Sequence, residues 1–203
     1  ERMAAVIMHQ LINAVFQLHQ LNIWHRDIRL ENILIKDPDE KNPYVILADL
    51  GYAKRFQVGE TSNEVMGTPY YAAPELLEGH DYCEAVDVWS LGVVMYVLLT
   101  GIFPFDTRNL WTAKTSVISG DVSFDDELFS GVSPEALDLI QLLMAYNPNE
   151  RIHLADALSH PFFQIAYIDS EKDSNLRVSH SLLESAIEYA DQLIFDSSIP
   201  AAE

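Results

Sequence analysis

The chain has 203 residues, 49% of them hydrophobic and 10% aromatic, a composition that supports one folded domain with a buried core. Its formal net charge of −19 repels phosphate backbones and anionic headgroups, so neither nucleic acid nor a membrane surface is an expected partner. The longest apolar run, residues 88–99, is interrupted by polar residues and is shorter than the ~20 residues that a membrane span requires.

The first predicted elements are a helix and a β-hairpin. Residues 3–21 carry apolar side chains at helical spacing, which predicts an amphipathic helix. Its apolar face consists of Ile7, Leu11, Ala14, Val15 and Leu18. Apolar stretches at residues 33–35 and 44–48 flank a polar insert, a pattern typical of a hairpin with a long turn. We expect strands here and almost nowhere else.

A long loop and further helices follow the hairpin. Residues 51–74 show neither helical nor strand periodicity, and a loop of this length inside a compact domain is usually functional. A buried helix comes next, with Asp87 as its candidate cap and Gly101 as its end. Ser133 followed by Pro134 predicts the start of another helix.

The last part of the chain is predicted to lie outside the main domain. We expect a short helix at residues 154–159, then a polar linker over residues 164–180. Residues 181–203 are predicted to form an amphipathic helix and a tail, and the helix opens with a capping box from Ser181 to Glu184.

Two carboxylates and an amide are expected to converge at one edge of the hairpin. Asp27 and Asn32 lie in the segment that leads into it, and Asp49 follows it directly. Phosphoryl transfer needs a carboxylate that orients the attacking hydroxyl and oxygen ligands that hold magnesium against the phosphates. The pattern therefore predicts the groups of a phosphoryl-transfer site.

These segments resemble the signature motifs of the protein kinase family, whose catalytic loop is usually HRDLKPEN and whose metal-binding motif is usually DFG. The counterparts here are HRDIRLEN at residues 25–32 and DLG at residues 49–51. Three further segments, GTPYYAAPE at 67–75, DVWSLG at 87–92 and NPNER at 147–151, also resemble motifs of the family. All occur in the family's order, and the ordered set is highly specific.

The resemblance implies a fold that is mainly α-helical: the large C-terminal lobe of a kinase domain, with a short β-hairpin at the catalytic loop. We expect this lobe to span residues 1–163. The chain begins at Glu1 and contains neither a glycine-rich loop nor a strand lysine, so we expect that it was cut from a longer polypeptide. The N-terminal lobe would then be absent from the chain. Because this lobe is the partner that completes the nucleotide site, we expect the fragment alone to transfer phosphate inefficiently.

The resemblance also implies roles for single residues, with ATP and Mg²⁺ as cofactors. Asp27 would accept or orient the proton of the substrate hydroxyl, and Asn32 and Asp49 would bind Mg²⁺ and, through it, the nucleotide. Arg29 is implied as a further catalytic residue, at the position where the family usually has lysine. Gly51 gives the backbone freedom to leave the metal site.

The residue types at three positions favour serine and threonine as phosphate acceptors. In serine/threonine kinases the second residue after the catalytic Asp is a lysine that contacts the transferred phosphate and a loop threonine, whereas tyrosine kinases place alanine there and a basic residue two positions later. Here Arg29 and Glu31 occupy those two positions, and Thr68 follows Gly67 in the substrate-docking segment. A guanidinium is bulkier than an ammonium and is oriented differently, so the exchange is not conservative and leaves room for reduced activity.

Arg26 is, in this family, the residue that can bind a phosphate on the activation loop, residues 51–74. Many relatives carry the phosphorylated threonine three positions before Gly67, where this chain has Glu64. We hypothesise that Glu64 partly mimics the phosphate, with a single charge in place of about −1.5 to −2. The alternative is an exposed loop carboxylate without a partner.

Other residues are implied to be structural. Glu75 and Arg151 resemble the buried ion pair of the family. Asp87 resembles the residue that ties the buried helix to the catalytic loop, a role that is compatible with that of a helix cap. His25 is expected to pack beneath the loop and not to act as a base.

The hairpin insert and the segments at residues 67–71 and 99–105 look most like calcium-dependent and calmodulin-dependent kinases. Such relatives often carry a regulatory helix after the domain, where residues 181–203 lie. Calmodulin-binding helices are typically basic, whereas this one contains Glu184, Glu188 and Asp191, so direct calmodulin binding is disfavoured. A docking or autoinhibitory role and a simple packing role both remain open, and packing is the safest interpretation.

We therefore expect the parent protein to transfer the γ-phosphate of ATP to serine or threonine of protein substrates. The first alternative is a pseudokinase that acts as a binding or scaffold module, and the second is a purely helical interaction domain. Cys83 is the single cysteine and no signal peptide is visible, so we expect a reducing compartment, the cytoplasm or the nucleus.

Overall fold

The computed structural model describes residues 1–37, 43–125 and 127–166 of the chain. The predicted helix and tail at residues 181–203 lie outside the described residues, as does the predicted linker from residue 167 onward. Residues 164–166, where that linker was expected to begin, form the end of a 3₁₀-helix over Pro161–Ala166.

Helices make up most of the regular structure in the described part of the chain. The α-helices, in chain order, are α1 (Arg2–Gln20), α2 (Pro74–Glu78), α3 (Ala85–Thr100), α4 (Leu110–Ser119), α5 (Pro134–Leu143) and α6 (Leu154–Ala157). Short 3₁₀-helices lie at Leu30–Asn32, Pro148–Glu150 and Pro161–Ala166. The strands are β1 (Ile23–Trp24), β2 (Ile33–Asp37), β3 (Tyr44–Leu47) and β4 (Lys54–Arg55).

The amphipathic pattern of α1 determines which of its faces meets the core. The buried residues of this helix are Ala4, Ala5, Ile7, Met8, Leu11, Ile12 and Val15. Two residues that the sequence placed on the same face, Ala14 and Leu18, are only partly buried. The buried face packs against α3 and against the C-terminal 3₁₀-helix, and each large side chain buried in this way stabilises the fold by about 1.5–3 kcal/mol.

The helix α3 is enclosed by the rest of the domain. All residues from Val86 to Val97 are buried, which explains why the sequence of this helix shows no amphipathic period. A Cβ on Gly92 would overlap the side chain of Met144, so the glycine allows the end of α5 to pack closely on α3. The helix ends at Gly101 in the left-handed conformation, with a φ of 76°, which confirms the predicted end.

The predicted start of α5 is also confirmed. The hydroxyl oxygen of Ser133 accepts a hydrogen bond from the backbone N–H of Ala136 at 3.2 Å, and Pro134 is the first helical residue.

Strands β2 and β3 form the predicted antiparallel hairpin. Leu34 lies opposite Ile46, and because side chains alternate along a strand, Tyr44 lies on the same side as Ile46. We call these three side chains the outer hairpin face. Leu34 and Tyr44 are each 54% exposed, and Ile46 is 37% exposed. The next residue pair beyond the hairpin is joined by a hydrogen bond from Ala48 N to Asn32 O at 2.7 Å. The hairpin therefore brings the segments with Asn32 and Asp49 side by side.

A second small sheet corrects the prediction that strands occur almost nowhere else. Strand β1 pairs with β4, with Ile23 opposite Arg55 and Trp24 opposite Lys54. Next to the pair, the ring of Phe56 stacks on that of Trp24, with centroids 3.6 Å apart. Strands of two residues are too short to show an alternating pattern, so this pairing left no signal in the sequence.

No helix in the three described ranges has both the length and the apolar character that crossing a membrane requires.

Candidate active site

Both carboxylate oxygens of Asp27 are engaged by side-chain donors. The hydroxyl of Thr68 donates to Oδ1 at 3.0 Å, and Nδ2 of Asn32 donates to Oδ2 at 3.2 Å and to the backbone oxygen of Asp27 at 2.9 Å. Asp27 is only 9% exposed. The two donors come from the catalytic loop and the activation loop, so together they fix the orientation of the carboxylate.

The backbone before Asp27 is held by a side chain from α3. Asp87 accepts hydrogen bonds from the backbone N–H groups of His25 and Arg26, each at 2.8 Å, and Nε2 of His19 lies 2.9 Å from its Oδ2. Arg26 has a φ of 65°, a conformation that costs energy in a residue other than glycine and that these bonds maintain.

The interpretation of Asp87 as a helix cap is wrong. Glu84 is the N-cap residue of α3, and Asp87 lies inside the first turn of the helix. Its carboxylate binds the catalytic loop and not the free N–H groups of its own helix.

His25 is fully buried beneath the catalytic loop. Its Nδ1 accepts from the backbone N–H of Asp27 at 3.4 Å, and its Nε2 lies 3.2 Å from the backbone oxygen of Ala48. A neutral imidazole with the proton on Nε2 satisfies both contacts, so both ring nitrogens are occupied by the fold.

Asn32 and Asp49 provide oxygen atoms at the edge of the hairpin. Because the amide nitrogen of Asn32 is bound to Asp27, its Oδ1 is the atom that can bind a cation. Asp49 is exposed, has a φ of 60°, and accepts the N–H of Gly51 at Oδ1, 2.9 Å away. A Cβ on Gly51 would come within 2.9 Å of that oxygen, so glycine keeps this turn open.

Amide and carboxylate oxygens are ligands that Mg²⁺ accepts, and the ion is usually shared with the phosphates of a nucleotide. Within the described residues, no group of three or more His, Cys, Asp or Glu side chains could hold a metal. An Mg²⁺ ion held by Asn32 and Asp49 would therefore need its other ligands from outside this group, such as a nucleotide and water.

Arg29 connects the catalytic loop to the activation loop. Its Nη1 donates to the hydroxyl oxygen of Thr68 at 2.8 Å, and its Nε donates to Oε2 of Glu31 at 2.9 Å. Burial alone opposes the positive charge, but the hydrogen bond to Glu31 and the carboxylates of Glu31 and Asp27 outweigh burial and raise the pKa of Arg29. Since a guanidinium cannot accept a hydrogen bond, the proton of the Thr68 hydroxyl is directed to Asp27.

Glu64 bridges two cations, in contrast to the alternative in which it has no partner. Its Oε2 accepts from Nη1 of Arg26 at 2.7 Å and its Oε1 from Nζ of Lys54 at 3.3 Å. These hydrogen bonds, first that from Arg26 and then that from Lys54, lower the pKa of Glu64 below its ordinary value. The Tyr82 hydroxyl donates to the backbone oxygen of Glu64 at 2.8 Å, which holds the loop from a second side.

The backbone of the activation loop lies close to the catalytic loop at Gly67. A Cβ on this residue would lie 2.5 Å from the backbone oxygen of Arg26 and 3.5 Å from Oδ1 of Asp27. Its φ of 82° is also one that favours glycine. The glycine therefore permits Thr68, the next residue, to reach Asp27.

Glu75 and Arg151 form a buried ion pair with two hydrogen bonds, Nη1 to Oε1 at 2.5 Å and Nη2 to Oε2 at 2.7 Å. Arg151 also donates to the backbone oxygens of Ala85, Ala145 and Tyr146. The pair thus joins α2 to the start of α3 and to the segment after α5.

Three side chains in these networks, His19, Lys54 and Tyr82, were not assigned a role from the sequence. His19 and Tyr82 are far from their partners in the chain and carry no local signal. Glu31 carries a local signal for its pairing with Arg29, because the two residues have opposite charges and are two positions apart in the chain.

Comparisons with known proteins agree with this geometry. The family model described as protein kinase domain matches residues 1–163. The chain is 38% identical over 182 residues to calcium-dependent protein kinase 5 of Plasmodium falciparum, an alignment that covers 90% of the chain and 31% of the relative. It is 33% identical over 189 residues to a probable myosin light chain kinase of Dictyostelium discoideum, covering 93% of the chain and 47% of the relative.

A third relative is serine/threonine-protein kinase H1 homolog of Danio rerio, 35% identical over 189 residues, with 92% of the chain and 44% of the relative covered. The chain belongs to the protein kinase family. Within this family its relatives include calcium-dependent kinases and other serine/threonine kinases, which confirms the predicted group. The chain spans between about a third and a half of the length of the relatives described here.

Proposed function

We propose that the protein containing this chain transfers the γ-phosphate of ATP to serine or threonine side chains of protein substrates. The observation that carries the proposal is the geometry of Asp27, whose two carboxylate oxygens are oriented by Thr68 and Asn32. A carboxylate held in this way is what a phosphoryl-transfer enzyme requires to orient an attacking hydroxyl.

Each residue of the site has one task in this mechanism. Asp27 would bind the hydroxyl of the substrate, orient its oxygen, and receive its proton as the oxygen bonds to the γ-phosphorus and the bond from that phosphorus to ADP breaks. Asn32 Oδ1 and the Asp49 carboxylate would hold Mg²⁺, while Asn32 Nδ2 fixes Asp27. When bound, ATP would supply the phosphoryl group and Mg²⁺ would neutralise the developing negative charge.

The contact between Arg29 and Thr68 supports serine/threonine specificity. In kinases of this type, a basic residue two positions after the catalytic Asp contacts a threonine of the activation loop, and here Nη1 of Arg29 donates to Thr68 at 2.8 Å. The same contact keeps the substrate-docking segment close to Asp27. Phosphate on serine or threonine, and not on tyrosine, is the expected product.

We propose that residues 1–163 are the C-terminal lobe of the kinase domain, with a linker over 164–180 and an accessory helix over 181–203. The outer hairpin face supports this division. Leu34, Tyr44 and Ile46 form an exposed apolar surface next to the oxygens of Asn32 and Asp49. An N-terminal lobe that covers the nucleotide would bury this surface.

We also propose that Glu64 stands in for a phosphate on the activation loop. Its bonds to Arg26 and Lys54 support this role, since they order the loop in the way that a phosphorylated residue does. No upstream kinase would then be needed to order the loop.

The test compares the full-length protein with its Asp27→Asn variant in phosphorylation of a peptide library. We expect the variant to lose activity about 10²- to 10⁴-fold, because Asn cannot receive the proton. Asp156→Asn is the matched control, since Asp156 is an exposed residue of α6 outside the site, and it should retain activity. Equal phosphorylation by the folded Asp27→Asn variant and the unmodified protein would refute the proposal and favour a scaffold function.

A further inference from the structure

The contact between Arg29 and Glu31 is not needed to orient Asp27. Nε of Arg29 donates to Oε2 of Glu31 at 2.9 Å, whereas the bond to Thr68 uses a different nitrogen, Nη1. The two side chains are 19% and 12% exposed. Oε1 of Glu31 is buried and has no hydrogen-bond partner among the described residues. One oxygen of Glu31 is thus bound by Arg29, and the other is not accessible to a ligand.

Glu31 is close to the place where a substrate would bind. Three hydrogen bonds connect it to the reacting carboxylate: Glu31 to Arg29, Arg29 to Thr68, and Thr68 to Asp27. A carboxylate that is mostly buried at such a position would attract a basic side chain of a bound peptide if it had no counterion, because charge-assisted hydrogen bonds are strong where water is partly excluded. The net charge of −19 favours basic substrates further.

We infer that Arg29 is the internal counterion of Glu31 and removes this carboxylate from substrate selection. The inference rests on the proposed kinase function and concerns its specificity. The protein accepts peptides without regard to a basic residue at the subsite beside Glu31, because the guanidinium of Arg29 already occupies the carboxylate.

The planar fork of arginine makes this double role possible. Its nitrogen atoms are separated and point in fixed directions, so one can bind Thr68 while another binds Glu31. A lysine has a single nitrogen at the end of its side chain, so it cannot bind Thr68 and Glu31 through separate nitrogen atoms. The Arg29→Lys substitution keeps the positive charge beside Thr68 and Asp27 and releases Glu31.

The experiment is a double-mutant cycle in the full-length protein. Peptides with one acceptor serine carry either Arg or Gln at each of the neighbouring positions, and kcat/KM is measured for every pair. The readout is the kcat/KM of the Arg peptide divided by the kcat/KM of the Gln peptide. Because both rates come from the same enzyme, a general loss of turnover in an Arg29 variant cancels.

We expect Glu31→Gln alone to change the ratio by less than about twofold at every position, since Arg29 already neutralises the carboxylate. Arg29→Lys should raise the ratio about tenfold at one position, the size of effect that a charge-assisted hydrogen bond produces. The double variant Arg29→Lys/Glu31→Gln should return to the ratio of the unmodified protein.

Glu135→Gln is the control for the loss of one negative charge, because Glu135 is exposed at the start of α5, and its ratios should not change. A strong preference of the unmodified protein for Arg that Glu31→Gln abolishes would overturn the inference, since Glu31 would then be open to substrates. Unchanged ratios in Arg29→Lys would overturn it as well. Absence of phosphorylation with every peptide would instead refute the proposed function, and this inference with it.

Discussion

At the scale of single residues, Gly67 and Gly59 offer a matched pair of substitutions. Their φ angles are 82° and 79°, so alanine is strained at both positions. Only at Gly67 would a Cβ also meet backbone, the oxygen of Arg26 at 2.5 Å, whereas nothing lies within 4 Å at Gly59. The difference in activity between the two variants therefore measures the effect of the contact with Arg26, because the backbone strain is similar in both.

We predict that Gly67→Ala displaces Thr68 from Asp27 and lowers kcat about tenfold to 100-fold, as expected for misplacement of a reacting group by about 1 Å. Gly59→Ala should cost about 1 kcal/mol of stability and leave kcat unchanged. Steady-state kinetics and thermal unfolding of both variants check this, and equal kcat values in the two would contradict it.

The ion pair of Glu75 and Arg151 gives a second prediction at this scale. Glu75→Ala should lower the free energy of unfolding by about 3–5 kcal/mol, because it leaves a buried guanidinium without its carboxylate. Arg151→Ala should cost at least as much, since three backbone oxygens also lose a donor. Denaturant unfolding measures both.

Asp106→Ala is the control for that measurement, because its pair with Arg108 is on the surface. It should leave the unfolding free energy unchanged within error. If Glu75→Ala were as stable as Asp106→Ala, the buried pair would have no stabilising role.

At the scale of elements, the activation loop is attached to the β1–β4 pair through charge. Arg26 and Lys54, which both bind Glu64, also lie over the ring of Phe56, at 5.5 and 5.2 Å from its centroid. Phe56 in turn stacks on Trp24. Through Arg26 and Lys54, Glu64 thus links the activation loop to the stacked rings of Phe56 and Trp24 beside the small sheet.

We predict that this attachment is lost in acid. The pKa of Glu64 is lowered from its usual value near 4.5 in the folded protein, so its contribution is complete above that value and disappears as pH falls through the lower, folded-state pKa. Hydrogen exchange of residues 54–66, corrected for the intrinsic pH dependence, should therefore rise as the solution is acidified below about pH 4.5.

Glu64→Gln should raise exchange in the same segment at neutral pH, by about twofold to fivefold, and should remove most of its acid dependence. Glu60→Gln is the matched control, since the Glu60 carboxylate accepts from Gln57 N in the same loop and has no cation partner within the described residues. A Glu64→Gln variant that exchanges like Glu60→Gln would show that Glu64 does not order the loop.

The elements differ in how far the sequence could predict them. The ends of α3 and α5 could be predicted because Gly101, Ser133 and Pro134 act locally on the backbone. The motif order indicated that Asp27 and Asn32 would meet, and they do. The contact of His19 with Asp87 spans 68 positions, and the donor from Tyr82 to the Glu64 backbone spans 18. Such contacts depend on how elements pack, which no local pattern encodes.

At the scale of the whole molecule, the outer hairpin face predicts how this chain behaves as an isolated fragment. Leu34, Tyr44 and Ile46 are adjacent and exposed, whereas exposed Val58 in the activation loop is a single residue outside this surface. If the proposed lobe assignment is right, the isolated chain should bind a hydrophobic dye more strongly than the full-length protein, in which the N-terminal lobe would cover the hairpin.

Leu34→Ser/Ile46→Thr should reduce dye fluorescence of the isolated chain by about half or more, and Val58→Ser should not. Equal fluorescence of the isolated chain and the full-length protein would contradict the assignment of this surface to a lobe interface.

Under the proposed kinase function, the bond from Asp87 to the catalytic loop has a consequence for the evolution of the protein. Because the N–H groups of His25 and Arg26 are bound to a side chain on α3, the position of Asp27 follows the position of that helix. A substitution in the core that shifts α3 slightly will then change turnover without touching a substrate. Selection for activity therefore acts on the packing of residues such as Trp89 and Leu91, which are both 0% exposed, and not only on the residues of the site.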